Sequence, residues 1–171
     1  MFALLIFGDS VRALWITAVA LVLDQLSKWW VMESMHLYES VSVIGHFFRF
    51  TYIHNPGAVF GLRLGGAYFH LALAVVALVF VCVLLWRLPP GSLWPAVGLA
   101  LVLGGAIGNM IDRLRFGVVI DFLDFGVGDT RWWIFNLADS WVSVGTVLLL
   151  FTYGLQSSDE ADDDAIQDTS K

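Results

Sequence analysis

At 171 residues, 58% of them hydrophobic and only 14% charged, with a mean hydropathy of +0.78, the chain is too apolar for an ordinary soluble domain. The net charge of -6 is local: Asp159, Glu160, Asp162, Asp163, Asp164 and Asp168 supply six of the fifteen acids within the last thirteen residues, leaving nine acids against eight bases elsewhere. No basic tract marks a nucleic-acid surface, and the single Cys82 excludes an internal disulfide or a cysteine-rich metal site.

The N-terminus lacks the basic region and small-residue cleavage site of a removed signal peptide, so its apolar run is expected to stay as a membrane helix. This first span covers about Val11 to Val31 and is interrupted by Asp24 and Lys28. Four residues apart, the two can pair on one helix face, either as a buried structural ion pair or as part of a site. Ser27 and Lys28 do not suggest a serine–lysine dyad, because neighbours on a helix point about 100° apart. The connection from Glu33 to Gly66 alternates Phe48, Phe50 and Tyr52 with Arg49 and Thr51, a strand pattern, and Asn55-Pro56-Gly57-Ala58 is a turn by residue type.

The second span runs from about Ala67 to Trp86 and contains Cys82 as a small apolar residue; Arg87, Pro89, Pro90 and Gly91 end it in a tight turn. The third runs from about Leu93 to Ile111. Gly104 and Gly108 permit close helix packing there, and Asn109, Asp112 and Arg113 share a face at its end. Asp112 and Arg113 alone read as an ordinary polar helix end, whereas an amide at the depth of Asn109 needs partners. In the connection from Asp112 to Asn136, residues 119–125 and 131–135 flank Gly126-Val127-Gly128-Asp129 in the pattern of a hairpin. The fourth span runs from about Leu137 to Leu155, with Asn136 as its natural cap and Asp139 at its third position. Each span is close to the ~20 residues that cross a bilayer core. Residues 156–171 form an acidic tail, set apart from a membrane domain over 1–155 and expected to be disordered.

Counting four spans places both long connections on one side of the membrane and both termini on the other. Lys28, Asn55, Asn109, Arg113, Asp121 and Asp139 then gather at one membrane face. Each aspartate has a bland reading: Asp139 as a capping acid, and Asp121 as a strand residue facing water beside Asp124. Together they can share one proton and form an acid–base pair, with nearby amides and an arginine, which points to an aspartic peptidase. No His-Glu-x-x-His zinc motif competes.

Four blocks carry a family resemblance: Asp24-Gln25-Leu26-Ser27-Lys28; Asn55-Pro56-Gly57-Ala58-Val59-Phe60-Gly61; Gly108-Asn109-Met110-Ile111-Asp112-Arg113 with Gly117-Val118-Val119-Ile120-Asp121-Phe122; and Phe135-Asn136-Leu137-Ala138-Asp139-Ser140. In this order, at the ends of four hydrophobic segments, they resemble the lipoprotein signal peptidase (signal peptidase II) family up to about Leu155. Val59 stands where alanine is more usual. The resemblance implies a bacterial inner-membrane aspartic endopeptidase acting on prolipoproteins, cutting before a cysteine that carries diacylglyceryl. It implies Asp121 and Asp139 as the catalytic pair and Asp24, Lys28, Asn55, Gly57, Asn109, Arg113 and Asn136 as supporting or substrate-binding positions. It further implies no metal or other cofactor, inhibition by globomycin-like cyclic peptides, cytoplasmic termini and an outward-facing site. The expected fold is an all-α membrane protein with four transmembrane helices and a small interfacial β-sheet on the outer face. The charge rule disagrees on orientation: the termini side carries Arg12, Arg87 and Lys171, and the opposite side Lys28, Arg49, Arg63, Arg113, Arg115 and Arg131. The rival class is a small membrane transporter or scaffold with a polar ion path, which requires polar residues spread through the membrane depth.

Overall fold

The computed structural model describes residues 2–57 and 67–168, with side chains described over 12–57, 69 and 71–153. The family block's Ala58 to Gly61, including the Val59 departure, lies outside the described residues. Chain order is α1 (Phe2–Ser34), β1 (Ser40–Ile44), β2 (Phe48–Asn55), α2 (Ala67–Arg87), α3 (Leu93–Phe116), β3 (Val119–Val127), β4 (Thr130–Arg131) and α4 (Leu137–Asp168). Four helices and a four-stranded antiparallel sheet therefore stand where the sequence leads one to expect helices and a small sheet.

α3 packs against each of the other helices, and its small residues explain how. A Cβ on Gly104 would press on Ala20 and Thr17 of α1, and one on Gly108 would run into the Asp24 carboxylate. On another face, a Cβ on Gly105 would meet the Ala138 carbonyl of α4. Glycine lets α1 and α4 approach the α3 backbone closely. Val81, Leu99 and Leu103 form a buried cluster between α2 and α3. Away from these contacts the helices are apolar outward: Trp15, Val76, Phe80, Leu150 and Phe151 are each more than 60% exposed, a surface that water alone would not tolerate. Among the described residues, Leu93–Phe116 is long and apolar enough to cross a membrane by itself. Leu71–Arg87 and Leu137–Tyr153 are shorter apolar helices.

The sheet order is β1-β2-β3-β4. The expected hairpin forms, turning at Gly128 and Asp129. β3 pairs with β4 only at Gly126↔Arg131 and Val127↔Thr130, and its long partner is β2, from Phe48↔Phe125 to Asn55↔Val119. Past Arg131 the returning chain stays against β3: the Trp132 N–H donates to the Phe125 carbonyl at 2.8 Å, and Phe135 exchanges hydrogen bonds with Leu123 at 2.7 and 3.1 Å, while Trp132 and Trp133 stand exposed. The first connection adds β2 to the other edge of β3, with Phe48 stacked on Phe125. β1 is an added edge that short alternation did not announce. Val31, Met35, Tyr52, Ile120 and Phe122 form a second buried cluster joining the end of α1 to the sheet. Gly117 ends α3 in the left-handed region (φ 73°), its N–H donating to the Arg113 carbonyl, and turns the chain directly into β3. The backbone of α4 stays helical through the acidic segment to Asp168.

Candidate active site

Asp121 and Asp139 come from different elements. Asp121 is the third residue of β3 and is 1% exposed, so it does not face water. Two amides hold it: Asn55 Nδ2 donates to Oδ2 at 2.8 Å, and Asn136 Nδ2 donates to Oδ1 at 2.7 Å. Asp139 lies in the first turn of α4. Asn109 Nδ2 donates to its Oδ1 at 2.8 Å, while the Asn136 N–H reaches its Oδ2 at 3.4 Å. The Asp139 N–H donates back to Asn136 Oδ1 at 3.0 Å, which completes the capping pair expected from sequence. Asp139 is thus both a capping acid and a neighbour of Asp121, and Asn136 touches the two carboxylates at once.

Local chain geometry explains why these amides point where they do. Pro56 cannot extend the ladder, so β2 ends at Asn55. The Gly57 N–H donates to Asn55 Oδ1 at 2.9 Å, closing a turn that leaves the Asn55 nitrogen aimed at Asp121. Arg113 does not fork onto a carboxylate. Its guanidinium donates to the Asn109 carbonyl at 3.1 Å and to the Gly57 carbonyl at 3.3 Å, clamping the β2 turn onto α3. Its charge acts through space on Asp139, Asp121 and Asp112.

Behind the pair lies a buried ionic network. Lys28 Nζ, 1% exposed, meets Asp24 Oδ2 at 2.9 Å, Asp112 Oδ2 at 2.8 Å and Asn109 Oδ1 at 2.9 Å, which uses all three ammonium donors. Asp24 Oδ1 accepts from the Ala138 N–H at 2.9 Å, and Asp112 Oδ2 accepts from the Ile120 N–H at 3.2 Å. Gln25 Nε2 bridges Asp24 and Asp112, 3.1 Å from each. The network therefore fixes the residue just before each candidate aspartate. Asp24 and Lys28 form the buried ion pair that the sequence allowed, and Lys28 also hydrogen-bonds Asn109, the amide on Asp139. Asp112 and Gln25 were not among the expected site residues. The spacing Asn109 to Asp112 was visible, but nothing in the sequence showed that Asp112 turns toward α1. Ser27 Oγ donates to the Asp24 carbonyl at 2.7 Å, so it forms no dyad with Lys28, and Cys82 is exposed on α2.

A cavity of about 940 Å³ opens over the pair. Polar Asn55, Asn109, Arg113, Asp121 and Asp139 line it together with apolar Leu73, Ala74, Ala106, Val142 and Val144 and with Trp132 and Trp133. Burial, and next the negative charge of Asp139, push the Asp121 carboxyl up to about 7, against the lowering effect of the Asn55 and Asn136 hydrogen bonds. Two carboxylates in each other's field favour holding one proton between them, which yields one acid and one base in the same site.

A helical scaffold with an apolar exterior and a buried carboxylate pair under a large cavity defines a class: a membrane enzyme of the aspartic peptidase kind. The sequence matches the family model for signal peptidase (SPase) II over residues 16–155. It is 43% identical to the lipoprotein signal peptidase of Psychromonas ingrahamii over 148 residues, 84% of each chain. With that of Moorella thermoacetica it shares 40% identity over 142 residues, 83% of this chain and 92% of the relative. A solved bacterial membrane enzyme superposes with a TM-score of 0.81 at 29% identity, covering 86% of this chain and 90% of that one. The chain belongs to the signal peptidase II family.

Proposed function

We propose that this protein is an intramembrane aspartic endopeptidase that removes signal peptides from prolipoproteins, cutting just before a diacylglyceryl-modified cysteine, with Asp121 and Asp139 as its catalytic pair. The observation that carries this reading is that both carboxylates, supplied by separate elements, meet through Asn136 beneath one cavity. With its proton held up to about pH 7, Asp121 donates to the scissile carbonyl oxygen. Ionised Asp139 takes a proton from water, whose oxygen bonds to the carbonyl carbon. The tetrahedral intermediate breaks at the C–N bond as Asp139 returns that proton to the departing nitrogen. Asp121 recovers its own proton as the carbonyl re-forms. Asn55, Gly57, Asn109, Arg113 and Asn136 hold the pair in place, Asp24 and Lys28 brace it, and no metal or other cofactor enters the step.

The cavity suits a lipidated peptide, since its apolar residues can take acyl chains while its polar ones take a peptide carbonyl. On this reading α1 to α4 cross the inner membrane and the sheet rests at the outer interface, where exposed Phe47, Trp132 and Trp133 meet headgroups. Both termini are cytoplasmic. The contrary charge count weakens because Lys28 is bound by Asp24 and Asp112, and Arg131 by Asp124 at 2.7 Å. Globomycin-like cyclic peptides would compete for the same cavity. A transporter or scaffold finds no support, because the polar side chains cluster at one end instead of following the membrane depth.

Asp121→Asn and Asp139→Asn test the assignment. Each should lower cleavage of a diacylglyceryl prolipoprotein by ~10²–10⁴-fold or more while the protein still purifies folded. Near-normal turnover in either variant would remove that residue from the pair.

A further inference from the structure

We infer that Lys28 is a positioning residue that acts through Asn109 to fix Asp139 as the base of the pair; this rests on the catalytic reading above. An ammonium group can only donate, so the Asn109 oxygen must face Lys28 Nζ, at 2.9 Å. Its nitrogen is then compelled to face Asp139, donating to Oδ1 at 2.8 Å. Asn55 and Asn136 are locked in the same sense, each by a backbone N–H on its side-chain oxygen, from Gly57 and Asp139 respectively. All three amides therefore offer nitrogen to the pair.

The two carboxylates are not served equally. Both oxygens of Asp121 receive an amide N–H at 2.8 Å or less. Asp139 receives one at Oδ1, and its Oδ2 has only the 3.4 Å approach of the Asn136 N–H. Among the described residues, Oδ2 of Asp139 is the most weakly hydrogen-bonded of the four carboxylate oxygens, the one best able to take a proton from water. Lys28 places a full positive charge one amide away from Asp139, whereas its hydrogen-bonded path to Asp121 is longer and runs through a second amide, Asn136, whose Nδ2 reaches Asn109 Oδ1 at 3.1 Å. Polarisation of Asn109 by the ammonium strengthens its donation to Asp139.

The charged groups that face Asp139 are Lys28 from α1, Arg113 from α3 and Asp121 from β3, and the next charges behind Lys28 are Asp24 and Asp112. α2 contributes Leu73 and Ala74 to the cavity, and its one described charge, Arg87, stands in the last turn of the helix, away from the cavity lining. Arg113 spends its hydrogen bonds on carbonyls, so Lys28 is the cation linked to the pair by a hydrogen-bonded chain.

The test is the pH profile of kcat/KM with a diacylglyceryl prolipoprotein. Asp24→Asn/Lys28→Met keeps the net charge of the network while removing the cation. Its acidic limb, where the base takes up a proton, should move up by about one pH unit, the size expected for one charge several ångströms away in a partly buried site. The alkaline limb should move less. Asn109→Asp keeps the shape of the side chain, still pairs with Lys28, and cannot donate to Asp139; its acidic limb should move up further. If the double variant does not fold, Asn109→Asp decides alone. An unmoved acidic limb with reduced kcat overturns the proposal and leaves Lys28 as a brace only. An alkaline limb that moves while the acidic one stays would place Lys28 behind the acid, which also overturns it. Full turnover by Asp139→Asn would instead refute the catalytic pair itself.

Discussion

Each amide at the site is turned by the partner that holds its oxygen. Asn136 shows this best: its cap on α4 occupies its oxygen, so its nitrogen must serve Asp121. The raised Asp121 carboxyl has consequences for activity and for stability. As pH rises through about 7 the acid loses its proton, so kcat/KM should fall along an alkaline limb near that value. The folded value lies above the ordinary 3.8, so the native state holds a proton over that interval that the unfolded chain releases. Its contribution to stability is fully present below the unfolded value and is lost as pH rises through about 7. Thermal unfolding in detergent should therefore occur at a lower temperature at about pH 8 than at about pH 5, and less so in Asp121→Asn. An equal pH dependence in both proteins would mean that Asp121 is not the group responsible. Arg113 makes a different demand. Its guanidinium spans the Asn109 and Gly57 carbonyls, a reach that one ammonium does not copy. Arg113→Lys should lose much of the turnover with the limbs of the pH profile in place, and wild-type behaviour would reduce Arg113 to a bare positive charge. Asp121 and Asp139 were legible in the sequence because acids at the edge of apolar spans are costly. Asp112 was not, because its value lies in which way it turns.

At the scale of elements, α3 organises the site: within two turns it presents Gly108 to Asp24, Asn109 and Asp112 to Lys28, and Arg113 to the Gly57 carbonyl. Gly108 is the most sensitive, since a methyl there would displace Asp24 from Lys28 and from the Ala138 N–H. Gly108→Ala should cost ~1–3 kcal/mol by overpacking and should lower turnover as the start of α4 shifts. A thermal scan of the purified variant checks the first, and unchanged melting would mean that α1 and α3 have slack. Helix positions were legible because apolar runs near 20 residues bounded by Pro, Gly and Asn leave few choices. Of the strand pairings, only the β3–β4 hairpin was. A hairpin signal is local, whereas the pairing of β2 with β3 depends on where the whole first connection lands. The same limit applies to the clamp of Arg113 on Gly57, which joins residues 56 positions apart in sequence.

Taken whole, the molecule is apolar outside, ionic at one end of its interior, and acidic at its C-terminus. The acidic segment beyond Ser158 has few apolar residues to bury, and truncation there should leave turnover and membrane insertion intact. A large loss of turnover would show that the segment docks on the rest of the chain. Two carboxylates that activate water directly need no ion, so EDTA should leave the rate unchanged; loss with rescue by a divalent metal would recast Asp121 and Asp139 as ligands. The central claim joins the pair of acids to a substrate held at the bilayer surface by its lipid. The most direct test gives the purified full-length chain the same prolipoprotein with and without diacylglyceryl on its cysteine and reads the products by mass spectrometry. The account predicts one cut, at the bond before that cysteine, in the lipidated form alone. Equal cleavage of both forms, or a cut elsewhere in the lipidated one, would contradict it.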